Sequence, residues 1–369
     1  MQLSFHAIAE DRPGPQWQAH ATRTWPSYHR WWLRDGDRAR PTFLQCRKAI
    51  RAHMPELEPV WQQLTELMGG GDAQARFLSM WCPPPYITGC SQAIWLGADP
   101  SEARLLRNYD FAPALLEGTW FATRWTGRRV IAMSDGLWGV LDGINESGLV
   151  ASLSFGGRTV TGEGFGIPIV LRYLLEVAAD TPQAVAILRR LPHNMSYTIS
   201  LLDRAGGWAT VYVAPDRPVE TVDRRSVTNV QHAVEWPEHE RATRASLRAE
   251  RLAAALAECE AAGAAAFGPD ALLARMLQPP IRQDAFGRGY GTLYTAVYAP
   301  AEGSVRLCWP NAPEWKQSIA AFTGGERKVE AVANTASAGD PAQPSDSDAQ
   351  GAIGALRDRE NIHRFANGI

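Results

Sequence analysis

A glycine–cysteine pair, Gly89-Cys90, is the first place in the sequence where chemistry could occur. Glycine lets the backbone adopt conformations denied to other residues, and a thiol that attacks the carbonyl just before it needs such freedom. The N→S acyl shift that follows hydrolyses to leave a new chain beginning with Cys90. Its free α-amino group, with a pKa of about 8, then acts as general base for its own thiol, so no histidine is required. The alternative is a buried strand residue, because free cysteine usually behaves as a small hydrophobe.

Two charged residues and one amide could complete such a site. Arg107 and Asp110 stand in an otherwise apolar stretch, where they could hold each other near an active centre. An ionised Asp110 beside a new ammonium group would orient it and stabilise its charged form. Asn229, expected on a strand, could donate a hydrogen bond to an oxyanion. The alternatives are a charged turn that leads into a strand and an edge-strand amide.

A fourth candidate, Arg288, stands in the glycine-rich stretch 286–292, as either a plain loop cation or a clamp for a carboxylate.

Motifs that would indicate other kinds of enzyme are weak. The GEGFG stretch at 162–166 lacks the spacing of a dinucleotide-binding loop, and no GxSxG nucleophile elbow occurs. The five cysteines contain no CxxC and the eight histidines are scattered, so no metal or other cofactor is expected. A papain-like hydrolase with His193 or His232 as base fits the chain order poorly.

The charge balance limits the classes of partner. Lys and Arg number 37 and Asp and Glu 39 among the 369 residues, so the formal net charge is -2. This gives no electrostatic reason to expect binding to nucleic acid or to an anionic membrane. No apolar run approaches the ~20 residues that span a bilayer, and the N-terminus lacks a secretory pattern. We expect a cytoplasmic protein that acts on a small molecule, and the sequence leaves a homo-oligomer open.

Hydrophobic periodicity and chain breakers place these residues among alternating groups of helices and strands. We expect residues 1–40 to be irregular, strand regularity to fade after Trp315, and 331–351 to be a disordered linker. The expected helices are 42–68, 75–80, 167–179, 182–191, 238–262 and 269–277. The expected strands are 86–96, 119–125, 129–133, 138–144, 149–155, 197–203, 208–214, 227–231, 292–298 and 305–309. This order is typical of an α+β fold with antiparallel strands joined by tight turns.

The order and spacing of six short motifs carry a family resemblance. From about Thr42 to about Trp309 the chain resembles the acyl-coenzyme A:6-aminopenicillanate acyltransferase (isopenicillin N acyltransferase) family. Its members are N-terminal-nucleophile (Ntn) hydrolase-fold proteins, with choloylglycine hydrolases and acid ceramidase as more distant relatives. The motifs are Gly89-Cys90-Ser91, Arg107-Asn108-Tyr109-Asp110-Phe111, Gly143-Ile144-Asn145-Glu146-Ser147-Gly148-Leu149, Gly164-Phe165-Gly166-Ile167-Pro168, Val227-Thr228-Asn229 and Gly291-Thr292-Leu293-Tyr294.

The resemblance implies a four-layer αββα sandwich, self-cleavage between Gly89 and Cys90, and acyl transfer from an amide or thioester without a cofactor. Matched by position, Cys90 is the nucleophile and base. Asp110 supports the α-amine and Asn229 forms the oxyanion hole. Arg107 and Arg288 are further catalytic positions.

The resemblance and the aromatic content together suggest where the substrate binds. Distant relatives often have an asparagine in the strand after the Asn-Glu-x-Gly-Leu motif, so Ser154 or a backbone N–H takes that place here. Phe155, Trp120 and Trp309 are candidates to line an apolar acyl pocket. The alternative for the tryptophans is that all of them belong to the core.

We therefore expect three segments: an N-terminal helical pro-segment at 1–89, a catalytic domain at 90–325 and a flexible tail at 326–369. The expected function is that of an autoproteolytic cysteine acyltransferase or amidohydrolase with a small acyl amide or thioester as substrate. The sequence does not decide between water and an amine as acyl acceptor. The alternative is a non-catalytic binding or scaffold protein on the same fold, with the chain left uncleaved.

Overall fold

The computed structural model describes residues 1–261 and 268–331, which form helices and two β-sheets. The helices are α1 (Pro15–Trp32), α2 (Phe43–His53), α3 (Glu58–Leu67), α4 (Asp72–Ser79), α5 (Ile167–Val177), α6 (Thr181–Arg190), α7 (Pro237–Thr243), α8 (Ala245–Ala261) and α9 (Pro269–Met276). The strands are β1 (Gln2–Glu10), β2 (Gly89–Trp95), β3 (Arg104–Phe111), β4 (Thr119–Thr123), β5 (Val130–Asp135), β6 (Gly139–Asn145), β7 (Val150–Phe155), β8 (Tyr197–Leu202), β9 (Trp208–Val213), β10 (Glu220–Val222), β11 (Ser226–Val227), β12 (Gly291–Ala299), β13 (Ser304–Trp309), β14 (Ala312–Ser318) and β15 (Gly325–Glu330).

The two sheets pack face to face. The nine-stranded sheet has the order β10-β9-β8-β7-β6-β5-β4-β1-β15, and the six-stranded sheet has the order β11-β2-β3-β12-β13-β14. Strands β2 and β3 contact β7 and β8 across the interface, α5 and α6 cover the large sheet, and α8 and α9 cover the small one. The α+β class and the four-layer αββα sandwich are therefore confirmed.

Apolar burial explains the two helical layers. Helix α5 begins with a proline in its first turn and is buried along almost its whole length, as expected for a helix laid on β6 and β7. Helix α8 presents a narrower apolar stripe that includes Leu252 and Leu256. This stripe packs with Ala93 and Leu106 of the small sheet in a hydrophobic cluster separate from the main core. The polar candidates of β2 and β3 thus lie between two apolar layers.

The first forty residues are ordered, so the expectation of an irregular start is wrong. Strand β1 pairs in parallel with β4 and antiparallel with β15, and α1 follows it. The signal was present in the sequence, because Leu3, Phe5 and Ala7 alternate with polar residues and all three are buried. The segment before Cys90 therefore supplies a strand to the large sheet as well as helices.

Two long expected helices are each interrupted. The stretch 42–68 divides into α2 and α3 around Met54 and Pro55, since proline cannot continue a helix from within. The stretch 238–262 divides into α7 and α8 at Arg244, which has a left-handed φ of 51°; residue 262 lies outside the described residues. The remaining expected helices are confirmed with small shifts of their ends.

The expected strands are confirmed except at two places. The strand expected at 227–231 ends at Val227, so Asn229 follows β11 instead of lying on it. Strand order also continues past Trp315, through β14 and β15, so 326–330 of the expected tail belongs to the large sheet. The rest of that tail and almost all of the expected 331–351 linker lie outside the described residues. Across the described residues, no helix combines the length and the apolar character needed to cross a membrane.

Candidate active site

Cys90 is the second residue of β2 and is fully buried between the sheets, directly opposite Tyr109 of β3. The Arg107 Nη2 donates a hydrogen bond to its Sγ at 3.2 Å, and the Thr88 hydroxyl lies 3.6 Å from the same sulfur. Burial raises the pKa of the Cys90 thiol, while the positive charge of Arg107 opposes that increase. In the uncleaved chain the thiol is thus shielded from solvent and has one cationic donor.

Position 89 has room only for glycine. A Cβ at this position would lie 1.7 Å from the Tyr290 hydroxyl oxygen and 3.0 Å from the Asp110 Cβ. The φ angle of Gly89 is not in the left-handed region, so the backbone freedom expected from the sequence is not what excludes other residues. Only glycine lets the loop that carries Tyr290 approach the candidate cleavage point this closely.

Arg107 belongs to a buried cluster that joins the two sheets. Its Nη1 pairs with the carboxylate of Asp142 on β6 and lies 2.9 Å from the Tyr294 hydroxyl oxygen on β12. The Tyr294 hydroxyl donates to Asp142 at 2.6 Å, and Tyr298 donates to the other oxygen of the same carboxylate. The guanidinium is therefore fixed on one side by Asp142 while its other side faces the Cys90 sulfur.

Asp110 lies on the opposite face of β3. Its carboxylate accepts hydrogen bonds from Arg248 Nη1 and from the Thr292 hydroxyl, each at 2.6 Å. The expectation that Arg107 and Asp110 hold each other is wrong, because residues an odd number of positions apart in a strand point to opposite faces. Burial raises the pKa of the Asp110 carboxyl, an increase that Arg248 and then Thr292 oppose.

Arg248 connects Asp110 to the candidate nucleophile. It is fully buried on α8, its Nη1 donates to the Ser91 hydroxyl at 3.0 Å and to the Cys90 carbonyl at 3.3 Å, and its Nη2 donates to Asn229 Oδ1 at 2.8 Å. The sequence interpretation missed this residue. Its signal was an arginine on the buried stripe of α8, in helical register with Leu252.

The Asn229 side chain spans the peptide bond before Cys90. Its Oδ1 accepts from the Cys90 N–H at 3.1 Å, and its Nδ2 lies 3.3 Å from the Thr88 carbonyl oxygen. The same Nδ2 donates to the Ser154 hydroxyl at 3.2 Å and to the Phe155 carbonyl at 3.1 Å. Ser154 and Phe155 are thus brought to the site by way of Asn229.

The two tryptophan candidates pack in the core. Trp120 is fully buried with its ring against Trp315, and Trp309 is tilted against Phe5 while its indole N–H donates to the Leu293 carbonyl. These contacts are those of packing residues. A role for either ring in substrate binding stays a prediction.

The remaining candidates lie elsewhere. Arg288 ends a short 3-10 helix in the loop before β12, and its role as a clamp stays a prediction. His193 is buried with its Nε2 2.8 Å from the Leu188 carbonyl oxygen, and His232 is exposed and paired with Glu220. The contacts of these histidines give no support to a papain-like base. In residues 1–261 and 268–331, no group of three or more His, Cys, Asp or Glu could hold a metal ion.

A cleft of about 360 Å³ lies beside the site, between α1 and the segment that follows β3. Its wall is mainly apolar, with Trp31, Phe111 and Leu116, and it also includes Tyr86 and Asp135. The Tyr86 hydroxyl oxygen lies 3.3 Å from that of Tyr109, the residue opposite Cys90. Tyr86 therefore stands between the cleft and the neighbours of the thiol.

The comparison with known families bears on this arrangement. Residues 97–314, more than half of the chain, match the family described as acyl-coenzyme A:6-aminopenicillanic acid acyl-transferase. The chain belongs to this family. The matched range contains Arg107, Asp110, Asn229 and Arg248 and begins after Cys90. No curated protein sequence matches the chain.

Several solved structures are similar to this acyltransferase-family chain at low identity. Penicillin V acylase from Agrobacterium tumefaciens is 16% identical over 65% of this chain and 90% of its own, with a TM-score of 0.43. A mutant of the conjugated bile acid hydrolase from Clostridium perfringens is 10% identical over 65% and 96%, with a TM-score of 0.46. The Caenorhabditis elegans ortholog of N-acylethanolamine-hydrolyzing acid amidase is 14% identical over 66% and 100%, with a TM-score of 0.45.

Proposed function

We propose that this family member is a self-cleaving cysteine N-terminal-nucleophile enzyme that hydrolyses or transfers acyl groups of small amides or thioesters. The observation that carries the proposal is the placement of Asn229, whose side chain pairs with the Thr88 carbonyl and the Cys90 N–H on the two sides of Gly89. Such a bridge holds one peptide bond in a fixed position beside a thiol. Residues 1–89 and the chain from Cys90 onward are then the two products of maturation.

Self-cleavage begins at the buried sulfur. The Cys90 Sγ attacks the Gly89 carbonyl carbon, the C–N bond breaks, and the proton of the thiol is transferred to the Cys90 nitrogen, which becomes an amine. Water then hydrolyses the thioester, which leaves a Gly89 carboxylate and restores the thiol. Arg107 supports the attack, because its donor 3.2 Å from the sulfur favours the thiolate. Because Gly89 has no Cβ, the Tyr290 hydroxyl and the Asp110 side chain can pack directly against the residue whose carbonyl is attacked.

Turnover uses the groups that cleavage makes available. The new α-amine takes the thiol proton, and the thiolate attacks the acyl carbonyl of the substrate. The oxyanion takes the place of the Thr88 carbonyl beside the Asn229 Nδ2, and it competes with the Ser154 hydroxyl and the Phe155 carbonyl for the two amide hydrogens. The leaving group departs with the proton held by the amine. Water or an acceptor amine next attacks the acyl-enzyme and releases the product.

The Asp110–Arg248 pair supports the amine in this scheme. Arg248 donates to the Cys90 carbonyl and to the Asn229 Oδ1, so it fixes both the backbone of the nucleophile and the oxyanion donor. The Asp110 carboxylate balances the charge of Arg248 and stabilises the ammonium form of the amine. The pair thus acts on the nitrogen of Cys90, whereas Arg107 acts on its sulfur.

The test is the chain composition of the purified protein. We expect intact-mass measurement and N-terminal sequencing to find two chains, one beginning at Cys90, and hydrolysis of a panel of acyl amides. The variant Cys90→Ala is expected to remain one chain and to be inactive. Cys46→Ala is the matched control, because Cys46 is a buried free cysteine on α2 and is expected to leave cleavage unchanged. A wild-type chain that never splits, or a Cys90→Ala chain that does, would contradict the proposal and favour a scaffold role.

A further inference from the structure

A third buried carboxylate cluster, around Asp135, lies outside the machinery described so far. Asp135, at the end of β5, is only 5% exposed, and its two oxygens accept hydrogen bonds from different tyrosines. The Tyr28 hydroxyl of α1 donates to Oδ1, and the Tyr86 hydroxyl donates to Oδ2. The Gly136 N–H also donates to Oδ1, at 2.9 Å. One carboxylate therefore joins the large sheet, the first helix and the segment just before Gly89.

Tyr86 is held at its backbone as well as at its hydroxyl. Its N–H donates to the Met195 Sδ at 3.3 Å, and its carbonyl accepts from the Tyr197 hydroxyl. Two residues, Ile87 and Thr88, separate this fixed point from Gly89 at the start of β2. The three prolines at 83–85 stiffen the chain on the other side. Tyr86 is thus a second fixed point before the candidate cleavage bond, upstream of the Thr88 carbonyl that Asn229 binds.

We propose that Asp135 is a positioning residue for self-cleavage, which fixes Tyr86 and so presents the Gly89 carbonyl to the Cys90 sulfur. The inference rests on the proposed function. An intramolecular attack requires the reacting atoms to be held close and aligned, and losing that alignment costs rate even when no reacting group is altered. Asp135 touches neither Gly89 nor Cys90. Its effect passes through the Tyr86 hydroxyl and the short chain between Tyr86 and Gly89.

The charges around Asp135 give the proposal a second signature. Burial raises the pKa of the Asp135 carboxyl to about 6, and the nearby Glu117 carboxylate adds to the increase. A hydrogen bond to a carboxylate is about twice as strong as one to a neutral group. As the pH falls through about 6, Asp135 gains a proton and its hold on Tyr86 weakens. The other titratable groups that face it are Tyr28 of α1, Tyr86, Tyr109 of β3, Glu117 before β4, and Tyr197 of β8.

The experiment compares two hydroxyl deletions at one carboxylate. Full-length wild type, Tyr86→Phe and Tyr28→Phe are made by cell-free synthesis, and the uncleaved fraction is followed by intact mass from pH 5 to pH 8. We expect Tyr86→Phe to cleave about tenfold more slowly than wild type at pH 7, the loss expected for one charge-assisted hydrogen bond. Tyr28→Phe is expected to stay within about twofold. It is the stricter control for stability, because the Tyr28 hydroxyl oxygen also lies 2.6 Å from a Glu117 carboxylate oxygen and accepts from the Gly136 N–H.

The pH series separates positioning from general loss of structure. The ratio of the wild-type rate to the Tyr86→Phe rate is expected to fall toward one below pH 6, where Asp135 is protonated in both. Asp135→Asn is expected to match Tyr86→Phe at pH 7 and keeps the test open should Tyr86→Phe misfold. Equal rates for wild type, Tyr86→Phe and Asp135→Asn would overturn the inference, as would equal slowing by Tyr28→Phe. Wild-type protein that does not cleave at all would instead contradict the proposed function.

Discussion

The two faces of β3 each carry a fully buried arginine–carboxylate pair, and the pairs differ in what they touch. On the inner face, Arg107 and Asp142 link the two sheets, and Arg107 donates to the Cys90 sulfur. On the outer face, Asp110 and Arg248 link the small sheet to α8, and Arg248 contacts the Cys90 carbonyl. One strand thus places opposite charges on two sides of a single residue.

These ion pairs are buried because they orient parts of Cys90, more than because they stabilise the fold. Removing two charges from water usually costs about as much as their attraction returns, so a well-packed apolar pair serves stability equally well. Each pair here instead orients a group of Cys90, the sulfur on one side and the backbone and Asn229 on the other. Breaking the pairs one at a time is therefore expected to separate effects on the sulfur from effects on the nitrogen.

The largest effect is expected from Arg107→Met. Loss of the guanidinium leaves Asp142 buried and unpaired, so the free energy of unfolding in urea is expected to fall by about 3–5 kcal/mol. In Arg107→Met/Asp142→Asn most of that stability is expected to return, because no charge is left buried. Self-cleavage is expected to be slower by at least about 10²-fold in both variants, since neither keeps the cationic donor at the sulfur. A double variant that cleaves at the wild-type rate would show that Arg107 serves only to balance Asp142.

Asn229→Ala tests the proposed oxyanion donor, which Arg248 contacts on the outer face of β3. In protein that has matured, kcat is expected to fall by about 10²–10³ because one donor to the oxyanion is lost. Asn108→Ala is the matched control. The Asn108 amide lies on the same face of β3 as Asp110, but it donates to the Met276 carbonyl at 2.9 Å. Steady-state kinetics with an acyl amide should show the loss for Asn229 alone. Similar kcat values for the two variants would remove Asn229 from the chemistry.

The smallest effects are expected from deleting one hydroxyl beside each pair. Thr292→Val and Tyr298→Phe each remove one hydrogen bond to a carboxylate, and each should cost about 1.5–3 kcal/mol of stability. Loss of the Thr292 hydroxyl raises the pKa of Asp110 further, so the acid side of the kcat/KM profile should move to higher pH. Tyr298→Phe is expected to leave that side in place, because it acts on Asp142. An equal displacement of the profile in both variants would mean that the pairs are not independent.

The residues of this site could be predicted from the sequence where local motifs carry them, but contacts between residues far apart in the sequence could not. Cys90, Arg107, Asp110 and Asn229 were recognisable because their types and order carry the resemblance, and the structure brings all four together. Their pairing was not predictable, since it depends on which face of β3 each side chain occupies and on what packs there. Arg248 lay in an expected helix, but its contact with Asp110 crosses more than a hundred positions of sequence.

The same limit applied to the fold. The α+β order of helices and strands followed from local patterns that are strong, such as those of β5 to β9, whereas the sandwich was implied by the family resemblance. The ends of the large sheet did not, because β1 is completed only by β4 and β15, which come from remote parts of the chain. The helix interruption at Pro55 shows the opposite case, in which a local backbone preference overrides a long apolar period. The interruption at Arg244 does not, because arginine does not favour the left-handed φ of 51° that it has there.

The position of β1 inside the large sheet has a consequence for how a cut chain behaves. Strand β1 lies between β4 and β15, so its removal would leave two unpaired edges and a gap in the sheet. The five cysteines are all free, so no disulfide ties residues 1–89 to the remainder. Before the cut, refolding is a one-molecule process whose yield does not depend on dilution. After the cut, it requires two chains to meet, so stability becomes concentration-dependent and unfolding becomes hard to reverse in dilute solution.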